Sequence, residues 1–158
     1  MRRVLVSCLV LASMLTSTTV AGAEPADSNS FALRVLELTN AERQSAGLTP
    51  LTLNSQLTDS AQTYSQVLAS SGCFDHTCGP VPNFADRDGQ AGYTGWSNLG
   101  ENIAGGYSTP EAVVAGWMAS PGHRENILSP EFTEIGIGIA SGSGQFGTYW
   151  TQEFGTRD

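Results

Sequence analysis

The 158-residue chain sets 7 basic against 15 acidic residues, a formal charge of −8, which excludes the basic footprint of a nucleic-acid binder or of a protein drawn to anionic membranes. Its 40% hydrophobic content suffices for one core, and its 3 cysteines are too few for a disulfide-dense scaffold.

The chain opens MRRVLVSCLVLASMLTSTTVAGAEPADSNS. Arg2 and Arg3, an apolar run from Val4 to Leu15 and then Ala21-Gly22-Ala23 follow the order of a secretory signal peptide over residues 1–23, with an A-x-A cleavage site. The apolar run is too short to span a bilayer, so no transmembrane segment is expected after cleavage. Cys8 precedes most of that run, which disfavours lipid attachment there. Cleavage after Ala23 leaves about 135 residues, the size of one domain. It also leaves only Cys73 and Cys78, and five arginines with no lysine. The expectation is a monomer secreted to the medium or retained at the cell envelope, with no nucleic-acid partner.

Residues 24–30, EPADSNS, read as a short linker. In SFALRVLELTNAERQSAGL, Phe31, Val35, Leu38 and Glu42 fall at helical spacing, Ser30 can cap the helix and Gly47 can stop it. Leu51 and Leu53 alternate with polar residues. Asn54 or Ser55 can then cap a second helix whose apolar stripe is Leu57, Ala61, Tyr64 and Leu68. Residues 72–100, rich in Gly, Pro, Asn and Asp, read as a long irregular stretch clamped by the cysteines. A third helix starts with Thr109 capping and Pro110 at the first position, or with Ser108 and Glu111, and Pro121-Gly122 breaks it. HRENIL is a short helical turn. The period then changes to two: Ile135, Ile137 and Ile139 alternate with small residues, and Tyr149, Thr151 and Glu153 alternate with Trp150, Gln152 and Phe154. These read as a hairpin joined by SGSGQFG. Helices first and strands later predict a layered α+β domain rather than a doubly wound sheet.

Two motif matches fail on context. Gly142 to Gly147 fits G-x-G-x-x-G, but a dinucleotide site needs a helix after that loop and a strand follows here. Asp86-Arg87-Asp88-Gly89 resembles a calcium-loop fragment without the remaining ligands or the closing glutamate, and reads as a turn.

The chain has 2 histidines, His76 and His123, each in a glycine- or proline-flanked stretch near candidate carboxylates: Asp75, Glu101, Glu125 and Glu134. Neutral imidazole and carboxylate oxygen suit zinc and related divalent cations, and the same groups serve as general acid and base.

Six ordered segments carry a resemblance: LTNAERQSAGLTPL, FDHT, GENIA, GWMASPGHRENIL, FTEIGIG and YWTQEFG. In order and spacing the chain resembles the compact bacterial branch of the CAP superfamily (cysteine-rich secretory proteins, antigen 5 and pathogenesis-related 1 proteins), with the domain placed over 31–156. The resemblance implies a single-domain α-β-α sandwich with a central antiparallel sheet and one open cleft. It also implies a cleft lined by two histidines and two acidic residues, which in some relatives hold zinc or another divalent ion. His76 matches the first histidine, Glu101 of GENIA the first glutamate and His123 the second histidine. The fourth position does not carry over, because Trp117 is followed by Met118, Ala119 and Ser120. Glu134 or Glu125 is the candidate substitute, so the expected metal set is His76, Glu101, His123 and Glu134. Three functions compete: a module binding a metal and a lipid, peptide or glycan in the cleft; a metal-assisted or His/Glu-based hydrolase of peptide or ester bonds; and a non-catalytic envelope scaffold. Trp117 is expected to anchor the core.

In an exported chain, the two nearby cysteines of CFDHTC are expected to form a Cys73–Cys78 disulfide; a thiolate metal site or a redox pair is disfavoured, since the spacing is not C-x-x-C. Closing so short a ring contributes only about 2 kcal/mol. The expected role is local, as a staple that holds His76 toward Glu101 and His123.

Overall fold

The computed structural model describes residues 25–157; the expected signal peptide lies outside the described residues. In chain order the elements are α1 (Pro25–Ser45), β1 (Thr52–Leu53), α2 (Ser55–Ser71), α3 (Phe84–Gln90), β2 (Trp96–Gly105), α4 (Pro110–Ala119), α5 (Pro121–Ile127), β3 (Glu134–Ser141) and β4 (Thr148–Arg157).

Helix α1 takes in residues 25–30, which the sequence suggested as linker, and Ser30 lies inside it rather than capping it. Pro25 suits a first turn, where its missing N–H is no loss and its φ is already helical. The buried face also differs from the expected one. Val35, Thr39 and Arg43, four apart, are fully buried, while Glu42 is exposed. Arg43 is buried without a carboxylate partner among the described residues. Its Nε donates to the Thr49 carbonyl at 2.9 Å, and its terminal nitrogens donate to the carbonyls of Ile127 and Ser129, each at 2.8 Å, and of Phe132 at 3.2 Å. Four carbonyl dipoles thus replace the lost water, and the end of α1 is tied to the chain leaving α5. Gly47, at φ 76°, turns the chain out of the helix.

Asn54 caps α2, its side chain accepting from the N–H groups of Gln56 and Leu57, and Gly72 closes the helix at φ 68°. All four residues of the expected stripe, Leu57, Ala61, Tyr64 and Leu68, are fully buried. Thr109 caps α4 through Ala112 N–H, with Pro110 at the first position. Trp117 is buried in the core, as expected of an anchor.

The sheet runs in the order β1-β3-β4-β2. Strands β3 and β4 form the expected hairpin, closed over Gly142 to Gly147, and β2 pairs antiparallel with β4 from Trp96↔Arg157 to Gly105↔Tyr149. Only the two-residue β1 is parallel, beside β3. Helix α2 lies against β3 and β4 on one face, and α1 and α4 pack on the other, giving the α-β-α sandwich. Alternation sorts the side chains. Ile135, Ile137, Ile139, Trp150 and Phe154 meet Val35, Val113 and Trp117, while Tyr149 meets Tyr64 and Leu68. The residues between the isoleucines are Gly136 and Gly138 for a steric reason. A Cβ at either would land on the α2 backbone, at Leu57–Thr58 and Ala61–Gln62 respectively, so α2 rests directly on the strand.

Strand β2 is the outer edge on the site side. Its outward carbonyls are closed by side chains from the other layer: Trp117 Nε1 donates to Ile103 O at 3.3 Å and Asn126 Nδ2 to Glu101 O at 3.1 Å. This protects an edge that would otherwise pair with a foreign strand. The close approach is testable. Gly138→Ala should destabilise the domain by about 3 kcal/mol in urea unfolding, as overpacking against backbone. Gly122→Ala, where nothing stands within 4 Å, should change stability by less than about 0.5 kcal/mol.

Candidate functional site around Glu101

The two faces of β2 deliver different partners. Ile103 packs beside Tyr64 and Leu68, so Glu101, two residues away, faces the α2 layer. Asn102 faces the other way, where its Nδ2 donates to the His123 carbonyl on α5 at 3.1 Å. His76, in the loop after α2, and His123 therefore approach the edge of β2 from opposite faces.

The His76–Glu101 link forms: Nδ1 lies 2.7 Å from Glu101 Oε1. The Glu101 side chain is 1% exposed and that of His76 49%. In the neutral ring, a carboxylate acceptor places the imidazole proton on Nδ1 and leaves Nε2 as the unprotonated donor atom. The bond to Glu101 raises the His76 pKa above its ordinary value, against the opposing effect of burial. His123 moves the other way, lowered first by burial and then by charge on His76.

The second oxygen of Glu101 is taken by Arg87. The Asp86–Gly89 run, expected as a turn, lies inside α3, which starts at the Asn83 cap. The helix turns Arg87 and Asp88 inward, and both are buried. Arg87 Nη1 donates to the carbonyls of His76 and Val81 at 3.2 Å and of Pro82 at 3.0 Å. Its guanidinium stacks over the Tyr64 ring, 3.5 Å from the centroid. One side chain thus orients Glu101 and holds the backbone that carries His76.

The Cys73–Cys78 disulfide forms around that loop. It shares the work with Tyr64, whose hydroxyl donates to Asp75 O and accepts from Cys78 N–H at 3.1 Å. Asp75 closes the turn by accepting from Thr77 N–H at 3.0 Å and Thr77 Oγ1 at 2.7 Å.

Glu134 is not brought to the histidines. It starts β3, with β4 between it and β2. Its carboxylate accepts from Asn54 Nδ2 at 2.8 Å and the Tyr93 hydroxyl at 2.7 Å, and meets Arg157 at 3.3 Å. It pins the cap of α2 to the sheet. Glu125 is exposed on α5 beside a shallow depression lined by Met118 and Leu128. Among the described residues, no three His, Cys, Asp or Glu side chains gather in a way that could hold a metal ion. With both Glu101 oxygens engaged, one by a guanidinium, a centre using His76, Glu101 and His123 together does not fit this arrangement. The carboxylate on His76 Nδ1 is the kind of support that a ligating histidine has.

Three contributors were not assigned to the site from the sequence: Arg87 and Asp88, read only as part of a turn, and Glu153. Glu153 stands directly opposite Glu101 in the β2–β4 ladder and is fully buried. Its nearest guanidinium nitrogen, Arg87 Nη2, is 3.9 Å away. Its register with Tyr149 and Thr151 was the available signal, since a carboxylate on an inward face requires a partner. Glu101 and Glu153 thus share one guanidinium, with Asp88 buried beside it, and three full negative charges there would be prohibitive. Burial pushes Asp88 up to about 6. Burial, then the negative charges of Glu101 and Asp88, push Glu153 well above the usual carboxylate range.

The sign of the pH effect follows. Between the ordinary carboxylate pKa and about 6, folded Asp88 keeps a proton that the unfolded chain has lost, so its contribution falls as pH rises through that window, by about 3 kcal/mol in all. Asp88→Asn mimics the protonated acid. Its melting temperature should match wild type near pH 4 and exceed it by several degrees at pH 8. A difference independent of pH would show that Asp88 ionises freely.

Comparison with known proteins agrees with this architecture. The chain is 42% identical over 139 residues to the uncharacterized protein YkwD of Bacillus subtilis (strain 168), covering 88% of this chain and 51% of that protein. It is 31% identical over 121 residues to the uncharacterized membrane protein YlbC of the same organism, covering 77% and 33%. The chain therefore spans about half or less of the length of these relatives. An extracellular protein containing a SCP domain from Bacillus anthracis superposes with a TM-score of 0.76 at 28% identity, covering 87% of this chain and 45% of that one. An outer surface protein of Borrelia burgdorferi superposes with a TM-score of 0.70 at 20% identity, covering 78% and 90%, and shares the fold. The profile of the cysteine-rich secretory protein family matches residues 36–154, nearly the whole described domain, and the chain belongs to that CAP family.

Proposed function

We propose that this is an exported CAP module whose cleft, at the edge of β2, binds a divalent cation such as zinc weakly and exchangeably through the imidazoles of His76 and His123. The observation that carries this reading is the 2.7 Å contact of His76 Nδ1 with buried Glu101, which leaves Nε2 as a donor on the half-exposed side. Glu101 is then an orienting carboxylate rather than a ligand. A bound ion would supply a Lewis-acidic centre with open positions for a lipid, peptide or glycan ligand. The signal-like residues 1–23 support export.

Calorimetric titration with zinc tests the assignment. His76→Ala and His123→Ala should each weaken binding by more than tenfold, and Glu101→Gln by about ten- to a hundredfold, while the fold persists. A double histidine variant that binds zinc as wild type does would overturn it.

A second reading, a His/Glu-based hydrolase of peptide or ester bonds, is favoured by the opposite pKa displacements of the histidines. A raised His76 and a lowered His123 are suited to act as acid and base. It requires a bell-shaped pH–rate profile whose acidic limb His123→Ala removes and whose alkaline limb moves down in Glu101→Gln. A turnover that ignores both substitutions would eliminate it.

A further inference from the structure

Between α2, α3 and the disulfide loop, the described domain contains a cavity of about 240 Å³ that opens to solvent on one side and has Arg87 in its lining. Its floor is buried Tyr64, Cys78 and Arg87, and its side walls are Val67, Val81 and Ala91. Well-packed interiors leave few voids larger than a water, and this one holds about eight waters at their liquid volume of roughly 30 Å³ each. Water gains little there, because the lining is mostly apolar.

The walls are held apart by fixed structure. The Cys73–Cys78 bridge fixes Cys78, and Arg87 Nη1 holds the carbonyls of Val81 and Pro82. Gly79, at φ 85°, lets the loop pass close over Val67, where a Cβ would come within 2.7 Å of Cγ1. A cavity kept open this way costs a ligand little reorganisation.

Charge selects the head group. Asp59, Thr63 and Gln90 are exposed at the mouth. The one cation of the lining, Arg87, already pairs with Glu101 and faces Glu153. The mouth therefore offers the Asp59 carboxylate, without a salt-bridge partner among the described residues, in a chain of formal charge −8, which repels carboxylate head groups and attracts ammonium ones.

We infer that this cavity between α2, α3 and the disulfide loop is a binding site for a small primary amine with an apolar body of about eight to ten heavy atoms, the ammonium seated at Asp59 and the body against Tyr64 and Val67. The cavity lining lacks both histidines, yet it shares Arg87 with the site around Glu101. Occupancy would be felt at Glu101 and His76 through that guanidinium.

Phenethylamine, 2-phenylethanol and 3-phenylpropanoate, which share one apolar body and differ in head group, are the probes. They would be titrated by NMR into the chain with its disulfide oxidised. Saturable binding of phenethylamine is expected, with the alcohol weaker and the acid at least tenfold weaker than the amine. Thr63→Trp, an exposed substitution that fills the mouth, should reduce amine affinity at least tenfold, and Gln90→Trp offers a second obstruction from α3. Asp59→Asn should weaken the amine three- to tenfold and leave the alcohol unchanged. The ring resonances of His76 should shift on saturation. No saturable binding, or binding that survives both tryptophan variants, overturns the site. Equal affinity for the acid, or an amine indifferent to Asp59→Asn, overturns the head-group assignment.

Discussion

The Arg87 guanidinium is the constraint on which the site depends. It is the cation shared by Glu101 and Glu153, with Asp88 buried beside it in the next position of the same helix. It also reaches the loop after α2 through three backbone carbonyls and rests on the Tyr64 ring. A planar, delocalised cation can address a carboxylate in one direction, carbonyls in another and an aromatic face in a third; an ammonium on a flexible stem cannot hold all three geometries. Remove it and two consequences coincide: buried Glu101 loses its compensating charge, and the backbone of His76 loses its anchor.

That arrangement makes the irregular loop understandable. Its backbone groups are satisfied by side chains rather than by a ladder, through Tyr64, Asp75 and Arg87, which is the condition for an ordered segment without regular structure. The disulfide closes a sequence separation of 5, too short to constrain the unfolded chain strongly. Its contribution is to the shape of the same loop, where it acts together with the tyrosine and the arginine.

Much of the frame is legible in local residues. Asn54 and Thr109 cap their helices, Gly47 and Gly72 end theirs, and the isoleucine alternation marks β3. These signals are local because capping, left-handed glycine conformations and side-chain period are properties of a few consecutive residues. The misses have one cause. Strand β2 contains Gly100 and Gly105 and is rich in polar residues, so its identity comes from pairing with β4 and not from its own period. Helix α3 is seven residues long and contains Gly89, too short to be marked by a stripe. Arg43 lies outside the helical face read from the sequence, because nothing local shows that the carbonyls of Thr49, Ile127, Ser129 and Phe132 surround it.

For the site, the sequence by itself determined the histidines, Glu101, the bridging cysteines and the family pattern that orders them. These rest on residue chemistry and linear spacing. Only the tertiary structure decided what each does. It seated Glu134 with Asn54, Tyr93 and Arg157, and gave Glu101 to His76 and Arg87. It also set Glu153 across the ladder from Glu101. Those outcomes depend on strand order, on which face of β2 a residue occupies and on how many buried charges compete for one cation. These are relations among residues far apart in the chain, and no local pattern encodes them.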